Sequence, residues 1–139
     1  MSMLTKGPSL LYGSDKGDTN AASEFISRLM TGAVMMHMHH LMVTGQGSYA
    51  MHTALGVYGE LADLADGLAE AWMGCTGMAV SFTGGTVQIG TDPKADVQAL
   101  YEYVESARAA LGSESHIQNE VDAVCTLLSS CLYKLNRLA

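Results

Sequence analysis

Apolar residues recur along four stretches of the chain at alternating steps of three and four, the period of one face of an α-helix. In the first, Ile26, Leu29, Ala33, Met36, His40 and Val43 share a stripe. Thr19 or Asn20 can cap its start and Gly45 can stop it, which predicts a helix over 20–44. His40 then points toward the core side and His37 stands one turn before it on a neighbouring line. His39, rotated away by about 100°, is expected at the surface. In the second stretch Met51, Leu55, Tyr58, Ala62, Ala65, Ala69 and Trp72 form the stripe, widened by Leu61, Leu64 and Leu68. With Ser48 as cap and Gly74 as stop, it predicts one helix over 48–73 of about seven turns.

Asp92 followed by Pro93 is a strong helix start, and Val97, Leu100, Val104, Ala107 and Leu111 lead from it to Gly112, predicting a helix over 93–111. Ile117, Val121, Val124, Leu128, Cys131, Leu135 and Leu138 predict the last helix over 114–137, with Ser115 and Gln118 spaced as a capping box. Between the second and third helices the pattern changes. Met78 to Gly90 holds two short β-prone runs around Thr83, Gly84 and Gly85, which fit a small hairpin or an irregular crossover. The link from Cys75 to Asp92 reaches roughly 60 Å when extended, enough to travel the length of a bundle. Short, long and short links imply an all-α, ferritin-like four-helix bundle spanning 19–139, with a long crossover before the third helix. Residues 1–18, with Gly7, Pro8, Gly13 and Gly17, have the composition of an N-terminal arm or loop.

Charge and composition narrow the function. The chain carries 14 acidic and 7 basic residues, a formal charge of −7, and no basic patch, so a primary role in gripping nucleic acid is disfavoured. No apolar run is long enough for a membrane span, and the 3 cysteines form no CxxC, which fits packing roles in a reducing cytoplasm. Four of the 10 methionines fall in the run from Met35 to Met42, where adaptable core filling is the simplest role. GSDKGD near the N-terminus lacks the spacing of a phosphate-binding loop, and no serine, threonine or cysteine stands in an activating context.

A second stripe on the 48–73 helix is chemically unusual. His52, Gly56, Gly59, Asp63, Asp66 and Glu70 align beside the apolar face. Each helical glycine costs about 1 kcal/mol relative to alanine, so the pair suggests close approach by another backbone. His52 and Asp66 are about 21 Å apart along one helix and cannot hold the same ion within one chain. Two copies packed antiparallel about a midpoint near Glu60 would bring them together. Each of two equivalent metal sites would then take His40 and His52 from one subunit and Asp66 and Glu70 from its mate, with His37 and Asp63 nearby. His116, Asn119, Glu120 and Asp122 read as a solvated face instead, and no Glu-x-x-His occurs.

His40, then His52, then an Asp and Glu four apart further on, is similar to the pattern of Dps-like mini-ferritins. That resemblance implies iron, a ferroxidase centre across a two-fold interface and a homo-oligomer. Leu41 stands where those proteins usually carry tryptophan, Gly56 replaces an expected carboxylate, and Asp66 and Glu70 arrive one residue early. From about His37 to Gly74, and from His116 to Leu138 with its IQNEVD and CLYKLNRL runs, the chain also resembles an uncharacterised ferritin-like family encoded by tailed bacteriophages. Two expectations follow. One is a ferritin-like protein that binds and oxidises Fe(II) between subunits. The other is a non-enzymatic phage accessory or structural protein that uses the bundle for homo-oligomerisation. A small-molecule-binding bundle, with Tyr49, Tyr58 and Trp72 in the pocket, is a third.

Overall fold

A computed structural model describes residues 15–139 of the chain; most of the expected N-terminal arm, residues 1–14, lies outside them. Five α-helices follow one another: α1 Thr19–Met42, α2 Ser48–Leu55, α3 Tyr58–Thr76, α4 Pro93–Ala107 and α5 Ser115–Arg137, with a 3-10 turn, Arg108–Leu111, prolonging α4. They form a bundle of four rods, because α2 and α3 together make the second one. α1 packs against both α3 and α4, and α5 packs against the same two from the opposite corner. The core between them holds Phe25, Leu29, Met36, Leu61, Leu68, Trp72, Val104, Ile117 and Leu128, all fully buried.

The helix starts follow local chemistry. Asp18, rather than Thr19 or Asn20, caps α1 by accepting from the Ala21 amide at 2.9 Å. Asp92 caps α4 as expected, with Pro93 in its first turn. The expected capping box at Ser115 does not form: Gln118 turns back to donate to the Arg108 and Gly112 carbonyls, closing the α4–α5 corner. α3 runs past Gly74 and stops at Gly77, whose φ of +74° is the left-handed conformation that ends a helix.

Two expectations change, and one left open between a hairpin and an irregular crossover is decided. The helix predicted over 48–73 is broken at Gly56 and Val57, where the Gly56 amide bonds Thr53 O in a tightened last turn and α3 restarts at Tyr58. The segment from Met78 to Gly90 forms no strand, and so no hairpin. Two of its amides go to helix side chains: Ser81 N to Ser23 Oγ at 2.9 Å and Gly90 N to Asp96 Oδ2 at 2.7 Å. It is a crossover. Thr19, at the start of α1, meets Met78 just after α3, whereas His39, at the end of α1, meets Asp96 at the start of α4. Hence α3 and α4 run parallel, and residues 77–92 return along the bundle between them.

The other change concerns the α1 histidines. His39 is 2% exposed and its Nε2 lies 2.7 Å from Asp96 Oδ2, while His40 is only half-buried. α1 is covered on two sides, by α3 and by α4, so its buried face is wider than a single stripe and takes in Gly32, Met35 and His39. Gly32 allows the second contact, since a Cβ there would sit 2.6 Å from Leu100 Cδ2.

Candidate functional site

The break between α2 and α3 leaves backbone groups that two histidines satisfy. Because the Gly56 amide turns to Thr53, the His52 carbonyl loses its helical partner; His40 Nδ1 takes its place at 2.7 Å. α1 ends at the same level, and the His40 carbonyl, left without a partner in the last turn, accepts from His52 Nδ1, also at 2.7 Å. The two imidazoles stack with centroids 3.6 Å apart and planes 18° from parallel. Each ring must carry its proton on Nδ1 to donate to a carbonyl, so in the neutral form the Nε2 lone pair is uncommitted.

One turn back along α1, His37 lies flat on Tyr58, the first residue of α3, with centroids 3.8 Å apart and planes 6° from parallel. The three histidines and Tyr58 therefore form one aromatic cluster at the α1–α2–α3 junction. His37, His40 and His52 are gathered as the spacing implied. Tyr58, expected on the apolar stripe or, with Tyr49 and Trp72, in a pocket, is the fourth member, and the break at Gly56 and Val57 sets it at the start of α3.

The carboxylates stand elsewhere. Asp63, Asp66 and Glu70 are exposed on α3, and none pairs with a histidine. Among the described residues no group of three or more His, Cys, Asp or Glu side chains is placed to hold a metal ion. Within one chain, then, the six expected ligands separate into a histidine cluster and an acidic face. Gly59 points into open space, so no backbone of its own chain accounts for it, while a Cβ at Gly56 would touch the His40 ring edge at 3.6 Å. Of the residues read as a solvated face, Asp122 binds Arg108 Nη2 at 2.6 Å and so braces the α4–α5 corner.

One pair of the cluster, His37 and Tyr58, shares with the acids a groove of about 660 Å³ between α1 and α3, which His40 and His52 do not line. Met30, Ala33 and Val34 form one wall and Ala62, Ala69 and Met73 the other, with Val80 and Phe82 of the crossover at one end. His37 and Tyr58 lie toward the other end, whereas Asp66 and Glu70 lie on the α3 rim. Met30, Val34, His37 and Leu41 repeat at steps of four, three and four on the exposed side of α1, the spacing of a helix-packing seam. Ala62, Asp66, Ala69 and Met73 repeat the same steps on α3.

Two of the cysteines are held as neutral thiols. Burial, with Glu105 beside it, pushes the Cys125 thiol up to about 11, and burial does the same for Cys131.

No helix among the described residues is long and apolar enough to cross a membrane. Residues 40–135 match a family of unknown function, DUF5856. No curated protein and no solved structure matches the chain.

Proposed function

This chain belongs to the family of unknown function DUF5856, a membership that brings no activity with it, and we propose from its own geometry that it is a homo-oligomeric helical module whose work is assembly. The observation that carries this reading is the uncovered seam on α1, where Met30 is 48% and Val34 43% exposed beside an apolar groove. Large apolar side chains in a row on one helix mark a contact surface rather than ordinary scatter. A second copy is the occupant that fits. Laid antiparallel across the α1–α3 face, it sets the histidine end of one groove against Asp66 and Glu70 of the other, so the chemical character is complementary at both ends. Gly59, open within its own chain, lies on the face that would be covered.

Sedimentation velocity tests this. The native protein is expected as a dimer or larger at micromolar concentration, and Val34→Lys, which places a charge in the seam, is expected as a folded monomer. A native protein that stays monomeric up to about 100 µM, where an interface of standard size is saturated, would overturn the proposal.

The histidine pair favours one elaboration, a divalent ion held between subunits. A metal-bound imidazole ordinarily donates its second nitrogen to a carbonyl or carboxylate, and His40 and His52 both do so at Nδ1. Their Nε2 atoms, with Asp66 and Glu70 of a second copy, would form a mixed nitrogen and oxygen donor set suited to iron or zinc. The bundle with its parallel α3 and α4 supports the ferritin-like reading of the fold in the same way. Anaerobic Fe(II) titration separates assembly from metal uptake. Stoichiometric binding that is lost in the Asp66→Asn, Glu70→Gln variant supports the ion, and a dimer that binds no Fe(II) leaves assembly alone.

A further inference from the structure

Two carbonyls in the last turn of α2 are held by side chains of other helices. His52 O accepts from His40 Nδ1 of α1 at 2.7 Å, and Ala54 O accepts from Cys131 Sγ of α5 at 3.3 Å. In an unbroken helix these carbonyls would accept from the Gly56 and Tyr58 amides, four residues on. Instead the Gly56 amide bonds Thr53 O, and among the described residues the Val57 and Glu60 amides donate to no protein acceptor. The interruption thus exchanges backbone bonds of one rod for bonds supplied by its two neighbours.

Little in the local chain demands that interruption. Gly56 has φ −65° and ψ −2°, and Val57 has φ −82° and ψ 8°, so the backbone stays near the helical region and departs from it chiefly by about 40–50° in ψ. No side chain caps the start of α3 at Val57. The apolar stripe Met51, Leu55, Tyr58 and Ala62 passes through the break with its steps of four, three and four unchanged. α2 is also lightly anchored, since only Ala54 and Leu55 of its eight residues are buried.

From these bonds we infer that the second rod is a conformational switch with two forms, the broken one latched by His40 and Cys131 and a continuous helix from Ser48 to Thr76. In the continuous form the Gly56 and Tyr58 amides take back the His52 and Ala54 carbonyls, and the His40 ring is released from its stack on His52. The latch lies on α1 and α5, so the packing of those helices against α2 is what selects the broken form. A ligand or partner that engages the stacked His40 and His52 rings together favours the broken rod. One that separates them favours the continuous rod, in each case by its difference in affinity for the two forms.

The switch does not depend on self-association and is tested separately, by amide hydrogen exchange followed by NMR on the full chain. The Val57 and Glu60 amides report it, because only the continuous helix gives them acceptors, Thr53 O and Gly56 O. In the native protein both are expected to exchange freely while Leu68, inside α3, is protected. His40→Phe combined with Cys131→Val keeps ring and volume but removes both donors, and is expected to raise protection at Val57 and Glu60 about tenfold, the equivalent of one or two ordinary hydrogen bonds. Gly56→Ala keeps both donors; its Cβ would lie 3.2 Å from Thr53 O, a tight contact in the broken form. With the gain in helix propensity, protection is expected to rise about fivefold. The inference is overturned if Val57 and Glu60 are already protected in the native protein, or if either variant, folded as judged by Leu68, leaves them as open as the native protein does. Should the double variant not fold, Gly56→Ala decides alone.

Discussion

Cys131 shows how one side chain records its surroundings. Its Sγ lies 3.3 Å from the Ala54 carbonyl of α2, within the core, and burial raises its pKa from the ordinary value to about 11. The neutral thiol is therefore the form that the fold favours. An unfolded thiol ionises near pH 8.5, so this contribution is complete below about that pH and disappears as pH climbs through 11. We expect urea unfolding under reducing conditions to give a constant stability difference between native protein and Cys131→Ala up to about pH 8.5. The difference should then shrink by about 2 kcal/mol toward pH 11. A difference independent of pH would show that the thiol is exposed in solution.

Among the histidines, His39 shows the limit of single-residue reading. One turn of arithmetic put it at the surface, and α4 buried it against Asp96. That neighbour lies far along the chain, and Gly32, seven residues earlier on the same side, lets α4 approach.

At the scale of elements, the α1–α4 contact supplies a test. Alanine at Gly32 would gain about 1 kcal/mol of helix propensity. The new Cβ would also lie 2.6 Å from Leu100 Cδ2, and overpacking of that kind costs about 1–3 kcal/mol. Gly32→Ala is expected to lower stability by about 1 kcal/mol, and in a Leu100→Ala background, with the clash removed, the same change should stabilise. Thermal unfolding of the four proteins of this cycle decides it. If Gly32→Ala stabilises both backgrounds, the helices are further apart than described.

The rods themselves were legible because each needs only its own periodicity and caps. The break at Gly56 and Val57 was not, although both glycines beside it were visible. Whether Gly-Val-Tyr-Gly continues a helix or interrupts it depends on what offsets a lost turn. Here the His40 ring supplies the bond that the His52 carbonyl gives up, and that ring belongs to another helix. The same logic decided against the hairpin: the amides of Ser81 and Gly90 found Ser23 and Asp96, partners that only the assembled bundle brings near.

For the whole molecule, assembly and stability are linked. If the α1–α3 face is buried against a second copy only in the folded state, mass action makes the melting temperature depend on concentration. A hundredfold rise in protein is expected to raise Tm by several degrees in the native protein and to leave Val34→Lys unchanged. Equal Tm values for the native protein across that range would count against a folded-state dimer.

The sequence by itself determined the number of helical rods, most of their ends and the three histidines that gather at one junction. These follow from spacing along a chain, because a helix converts positions three and four apart into neighbours. It also determined that the histidines and the acids of α3 could not meet within one chain. Only the tertiary structure decided which α1 histidine is buried, where the second rod breaks, and that His37 stacks on Tyr58 beside a second stacked pair, His40 on His52. Those outcomes depend on pairs far apart in sequence, such as His39 with Asp96 and Gly32 with Leu100, whose meeting is set by how whole helices pack.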